Sequence, residues 1–198
     1  MNGTGTGSLG GAQDDLQAGL SDRVGLTDRV VLSVRDLSKQ YGDGCSVCRN
    51  GDPDVLEKNY CPHCGTVYAL QDTSFDLFDG EVLGIVGESG SGKSTVLNCL
   101  YFDTDPTSGD ARLTPYDEGS VNMFSAGSQA RRYIRNHVFG KVYQNPVLGL
   151  KMRFSSLSNI AEKMIAADNR NVAQMEDRAR ELLEHVKIPP FRMKEAPV

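Results

Sequence analysis

Two short stretches carry residues whose types and spacing could do chemistry. The first is Gly87-Glu88-Ser89-Gly90-Ser91-Gly92-Lys93-Ser94, followed by Thr95. Its spacing, G-x-x-x-x-G-K-S, is that of a loop that cradles phosphates, and each part has its own physical reason. Glycines let successive backbone N–H groups turn inward onto phosphate oxygens. A helix starting at the loop aims its positive end at the same anion. Lys93 is expected to reach the β- and γ-phosphates, and the Ser94 hydroxyl to take Mg²⁺. Thr95 is read as a helix-start residue or an α-phosphate contact.

The second stretch is Cys45-Ser-Val-Cys48, twelve residues, then Cys61-Pro-His-Cys64. Each C-x2-C puts two thiolates on one tight turn. Two such turns face to face offer four sulfurs in a tetrahedron, so a structural Zn²⁺ site is expected at Cys45, Cys48, Cys61 and Cys64. Rubredoxin-like iron and redox thiols are the other readings. His63 lies between two better ligands and reads as a solvent-facing turn residue. Cys99 stands alone in an apolar run and reads as a small buried hydrophobe.

The composition permits a packed core: 39% of the 198 residues are hydrophobic and 24% charged. A net charge of −5 argues against a broad nucleic-acid surface, and the cysteine interval carries only Arg49 and Lys58 as cations. No apolar run approaches the ~18–20 residues that cross a bilayer, and the first 30 residues lack a signal-peptide core. A cytoplasmic protein is expected, with membrane association only through a partner.

Positioning these groups requires a framework. Residues 1–29, rich in Gly, Ser, Thr and Asp, read as a disordered tail. Val30, Leu32 and Val34 alternate with polar residues as in a strand, and so do Phe75 and Leu77. "EVLGIVG", residues 81–87, is nearly continuously apolar, as in a strand buried on both faces. A helix is expected after the loop, with Val96, Leu97 and Leu100 on one face. "DPTSGDARL" reads as a turn and short strand, residues 115–130 as a loop, and "QARRYIRNHVFGKVYQNP" as a helix turning into a strand. From Ser156 onward the pattern is helical, and three prolines break "KIPPFRMKEAPV".

The order of these parts resembles the ATP-binding cassette (ABC) family: a strand ending in Tyr41, a second strand, "DGE", the apolar run, the Walker A loop, then "VYQNP". The resemblance implies an α/β P-loop NTPase fold of the ABC type. It implies that Tyr41 stacks on adenine and that Gln144 contacts Mg²⁺ near the attacking water. "FDLFDGEVLGIVGESGSGKST", "VYQNPVLGLKMRFSSLSNIAEKM" and "IPPFRMKEAPV" are similar to the ATP-binding subunits of carbon–phosphorus lyase (phosphonate utilisation) systems, and less so to peptide-importer ATPases. The resemblance covers about residues 30–44 and 66–198. The expected organisation is a partial ABC ATP-binding domain over 30–198, with 42–66 as an inserted zinc-ribbon-like knuckle and about 147–188 as a helical subdomain. Expected ligands are ATP, Mg²⁺ and Zn²⁺. Expected partners are a second ABC ATPase subunit and either a carbon–phosphorus lyase complex or membrane permease subunits, with no direct nucleic acid.

The family's "SGGxQ" signature, Walker B aspartate, catalytic glutamate and switch histidine have no counterparts here. "FSAGSQ", Phe124 to Gln129, lies before Gln144, on the wrong side of the helical subdomain. His137 and His185 precede any Walker B strand and read as structural or exposed. The fold is therefore expected to be incomplete at the C-terminus, and the chain alone poorly stable and catalytically silent, with Lys93 and Gln144 its only catalytic candidates. Two other readings stand beside it: a P-loop kinase bearing a zinc ribbon, which leaves "VYQNP" unexplained, and a non-catalytic nucleotide- and zinc-binding adaptor.

Overall fold

The computed structural model describes residues 28–49, 56 and 59–197, so all but the last two residues of the expected 1–29 tail lie outside the described residues. Its centre is a three-stranded antiparallel sheet. Strand β1 (Val30–Tyr41) lies between β2 (Val67–Phe78) and β3 (Ser108–Leu113). Val34 is the register point, opposite Phe75 on one side and Ala111 on the other.

The alternation seen in the sequence holds through Leu32 and Val34, then changes phase. Asp36 sits at φ 50°, and the pairing slips between Val34 and Leu37 on the β2 side. One extra residue in β1 re-aims the strand, so that Leu37, an odd number of residues beyond Val34, is still fully buried. Aspartate tolerates the left-handed region better than most residues. The Asp36 N–H donates to Ser74 Oγ across the bulge at 2.9 Å.

Gly109, on β3, sits against that bulge. At φ +119°, a methyl group there would come within 2.7 Å of Leu37 Cα and 3.0 Å of Asp36 O. Both neighbours are backbone, so neither can rotate away. Gly109→Ala is expected to destabilise the chain by about 2–3 kcal/mol, from left-handed strain plus the displaced β1–β3 pairing. An unfolding midpoint in urea equal to the parent's would contradict this.

One face of the sheet is covered by helix α2 (Lys93–Leu100) and by the segment after β3. Leu32, Val34, Leu37, Leu70, Ala111 and Leu113 meet Val96 and Cys99 of α2, with Met123, Phe124 and Ile134. The helix buries Val96 and Cys99, spaced three apart, whereas Leu97 is exposed. The expected Val96/Leu97/Leu100 face is thus rotated, because the sheet meets the side that carries the smaller thiol. Burial pushes the Cys99 thiol up from its ordinary range, as befits an inert core residue. Asn122 fastens the following turn to β3: its Oδ1 accepts from Ala111 N–H and Phe124 N–H, and its amide donates to Gly109 O.

Residues 81–87 do not form the expected buried strand. They carry no strand pairing, and Val82 and Val86 are 95% and 93% exposed. Apolar sequence alone does not make a strand; the backbone needs a ladder partner, and none of the described residues supplies one. The strand expected before Gln144 is absent for the same reason. Helix α3 (Ser128–Tyr133) runs into a wider turn through Val138, and the chain then continues unpaired with Val142 97% exposed.

The C-terminal part forms a second cluster. Helices α4 (Ser156–Ala166) and α5 (Val172–His185) are opened by Ser155 and Asn171, whose side chains accept from Ser158 N–H and Gln174 N–H. Ala179, Leu183 and Met193 pack with Leu157 and Ile160. His185 Nδ1–H donates to Glu181 O on its own helix, and His137 stacks on Tyr133 at 4.7 Å between ring centroids. Among the described residues, no helix is long and apolar enough to cross a membrane.

Candidate functional site

The phosphate loop lies between the unpaired 81–87 segment and α2. Gly92 closes it in the left-handed region at φ 87°, directly before the helix. No side chain caps α2, so its first-turn N–H groups remain available to an anion. Lys93 folds back over the loop. Its ammonium donates to Gly87 O at 2.9 Å, Glu88 O at 2.5 Å and Ser91 Oγ at 3.2 Å. A cation is therefore already centred where the loop's backbone converges.

Gly92 is pressed onto strand β2. A Cβ at Gly92 would fall 2.3 Å from Ala69 O and 2.9 Å from Leu70 Cδ2. This contact sets the distance between the loop and the sheet, and it brings the end of β1 alongside. Tyr41, Gly90, Ser91, Gly92, Lys93, Ser94 and Thr95 line one cleft. An adjoining cleft takes in Glu88 and Ser89 with Gly90 and Ser91. The Tyr41 ring is half-exposed and carries Lys39 Nζ 4.9 Å from its centre. Lys39 is held there by donating to Asp105 O at 2.7 Å. Gln144 is not brought into this cleft: it is exposed in the bend before Asn145.

The four paired cysteines converge. Their sulfurs all lie within 4.8 Å of one another. Cys45–Cys48 and Cys48–Cys64 are 3.7 Å apart and Cys45–Cys61 4.0 Å. The edge of a tetrahedron of sulfurs around Zn²⁺ at ~2.3 Å is about 3.8 Å, so the set fits such an ion. All four are free thiols. A four-residue turn of helix, α1 (Ser46–Arg49), holds the first pair, with Arg49 N–H donating to Cys45 O. The second pair is held by Cys61 N–H to Thr66 O and Gly65 N–H to Cys61 O.

The thiols differ in their chemistry. The Thr66 hydroxyl beside Cys64 holds that thiol down at about 6. Burial pushes Cys61 up to about 11. A hydrogen bond from Tyr68 lowers Cys48. Thr66 and Tyr68 were not legible as site residues. Thr66 is buried, and its hydroxyl both accepts from Gly44 N–H at 3.0 Å and meets Cys64 Sγ at 3.2 Å, joining the two halves of the knuckle. Its place two residues after Cys64 is the signal the sequence offers. No motif marks Asn59, yet it lines both clefts of the phosphate loop.

Residues 70–197 match the ABC transporter family model. The chain is 39% identical over 128 residues to the phosphonates utilization ATP-binding protein PhnK of Escherichia coli (strain K12), covering 65% of this chain and 49% of that one. It is 33% identical over 135 residues to a peptide import ATP-binding protein of Brucella ovis, covering 68% and 41%. It is 35% identical over 122 residues to the methionine import ATP-binding protein MetN of Chlamydia felis, covering 57% and 36%. The chain thus spans half or less of the length of these relatives. Among solved structures, the ATP-binding cassette MJ0796 bound to ADP and phosphate superposes with a TM-score of 0.62 at 22% identity, over 84% of this chain and 61% of that one. The cbiO1 protein of Clostridium perfringens superposes at 0.58 and 19%, over 85% and 55%. These likenesses show the fold: an α/β P-loop nucleotide-binding fold of the cassette type. The phosphate loop at 87–94, the match over 70–197 and the shared fold together place this chain in the ABC transporter family.

Proposed function

We propose that this chain is the nucleotide-binding part of an ABC ATP-binding subunit that serves phosphonate utilisation or uptake. The observation that carries the nucleotide reading is the cleft in which Tyr41 faces the loop residues Gly90 to Thr95. An aromatic ring, a phosphate-cradling backbone and Lys93 are what a nucleoside triphosphate requires at its two ends. Ser94 takes Mg²⁺ in this reading, Thr95 the α-phosphate, and Gln144 reaches the metal in the complete protein. The phosphonate role rests on the PhnK likeness, which exceeds in identity those to the peptide and methionine import proteins. The complete protein acts with a second ABC ATPase subunit and a carbon–phosphorus lyase complex or permease, in the cytoplasm and at the membrane only through that partner.

Hydrolysis needs a carboxylate or similar group to position water beside the γ-phosphate. Among the described residues, no Asp or Glu lines the cleft that holds Lys93 and Ser94. The 198-residue chain is therefore expected to bind MgATP without turning it over. Calorimetry with MgATP and a phosphate-release assay check both halves. No binding would refute the reading, and turnover that vanishes in Lys93→Ala would favour a kinase.

The four cysteines hold Zn²⁺ as a closed structural site in the same reading. Cys61, at about 11, must lose its proton to ligate, whereas Cys64, at about 6, is already a thiolate at pH 7.5. Zinc uptake at pH 7.5 is thus expected to release at least one proton per chain, and affinity to weaken as pH falls. Calorimetry in buffers of different ionisation enthalpy measures that number; a value of zero would contradict the assignment.

A further inference from the structure

The geometry points to the four-cysteine knuckle as a wall of the nucleotide cleft, with Asn59 contacting the nucleoside and metal loading setting nucleotide affinity. This rests on the zinc reading above and goes beyond a fold staple, because it gives the knuckle a role at the ligand.

Three observations carry it. First, Asn59 lies two residues before Cys61 and lines the cleft shared by Tyr41 and the loop residues Gly90 to Thr95. It also lines the adjoining cleft at Glu88 and Ser89. Half-buried there, its carboxamide offers both a donor and an acceptor, which suits a ribose hydroxyl or a base edge. Second, Asn59 is locked to the sheet. Its carbonyl accepts from Tyr68 N–H at 2.7 Å, and Tyr60 bridges Val67. Third, the knuckle and the loop press on the same short piece of β2. Cys61 N–H donates to Thr66 O, and Val67 and Ala69 follow directly along the strand. Ala69 O is the atom against which Gly92 is packed. Cys61 thus meets Thr66, the backbone runs from Thr66 through Val67 to Ala69, and Ala69 meets Gly92, which links the sulfurs to the phosphate loop.

A metal that fixes Cys61 and Cys64 fixes the start of the 61–66 turn directly and its far end through the contact of Cys64 Sγ with the Thr66 hydroxyl. It thereby holds Asn59 on one side and Ala69 on the other at the spacing the cleft requires. With the four thiols unlinked, that turn depends on a few hydrogen bonds and has more conformations to lose on nucleotide binding. Pre-organisation by the metal is therefore read out as affinity.

The test uses the full chain and two probes, a fluorescent ATP analogue and inorganic tripolyphosphate. Metal content is measured first, by mass spectrometry of the native chain and by the visible spectrum after cobalt substitution. In the zinc-loaded chain, Asn59→Ala is expected to weaken the ATP analogue by about three- to tenfold, the size of one lost hydrogen bond, and to leave tripolyphosphate unchanged. Removing zinc with a chelator, in a chain whose circular dichroism is retained, is expected to weaken the analogue by at least as much. One zinc per chain together with unchanged nucleotide affinity after its removal overturns the coupling while leaving the site itself in place. No zinc and no cobalt spectrum overturns both. Should the stripped chain lose its fold, Asn59→Ala in the loaded chain decides: equal losses for both probes, or none for either, overturn the nucleoside contact.

Discussion

Gly92→Ala is expected to lose both nucleotide binding and a large part of the chain's stability. Gly92 holds φ 87°, where an L side chain costs roughly 1–2 kcal/mol. The added methyl also meets Ala69 O at 2.3 Å and Leu70 Cδ2 at 2.9 Å. The leucine can rotate; the carbonyl cannot, since it belongs to the backbone of β2. The loop must therefore lift from the sheet, which carries Lys93 and the start of α2 out of register with Tyr41. A stability loss of roughly 2–4 kcal/mol follows from the strain and the opened contact. Affinity for MgATP should fall by about two orders of magnitude or more, because misplacing the cradle removes several charge-assisted bonds together. Urea unfolding and calorimetry read the two effects separately. A variant that unfolds at the parent's midpoint and binds within threefold of it would disprove the packing role of Gly92.

Lys93→Ala should produce a comparable loss of binding by a different route. The Lys93 ammonium is held by Gly87 O, Glu88 O and Ser91 Oγ, all near the surface. Removing it leaves those carbonyls to water, so stability is expected to change by less than about 1 kcal/mol. The ligand, however, loses a cation at its β- and γ-phosphates. Each charged hydrogen bond is worth about 1.5–3 kcal/mol, so MgATP affinity should drop by roughly a hundredfold or more. The pair of variants separates geometry from charge: Gly92→Ala shifts the unfolding midpoint and Lys93→Ala does not. Equal midpoint shifts in both would mean that Lys93 is a structural residue here.

The exposed apolar segments have a bearing on both measurements. Val82, Val86 and Val142 are almost fully exposed, and all three lie in stretches whose composition suits a buried sheet. Such surface favours self-association, so binding assays belong at low micromolar concentration.

The sequence by itself determined whatever is encoded within a few residues. The phosphate loop was legible because its glycines, lysine and serine act through local backbone geometry. The two C-x2-C turns were legible because each is a local knuckle with a fixed reach. The strands around Leu32 and Ala111 and the helices α4 and α5 followed from periodicity. What lies farther apart was decided by the tertiary structure alone. The Asp36 bulge and the antiparallel pairing of β1 with β2 bring Tyr41 to the loop and set Asn59 beside it. Cys99 is buried as its apolar surroundings suggested, but the packing of Gly92 on Ala69 chose the rest of the buried face of α2, so Leu97 turns outward. Residues 81–87 make the same point in reverse. Their apolar run specifies a strand only in the presence of neighbours to pair with, and hydrogen-bond partners are a property of the whole fold.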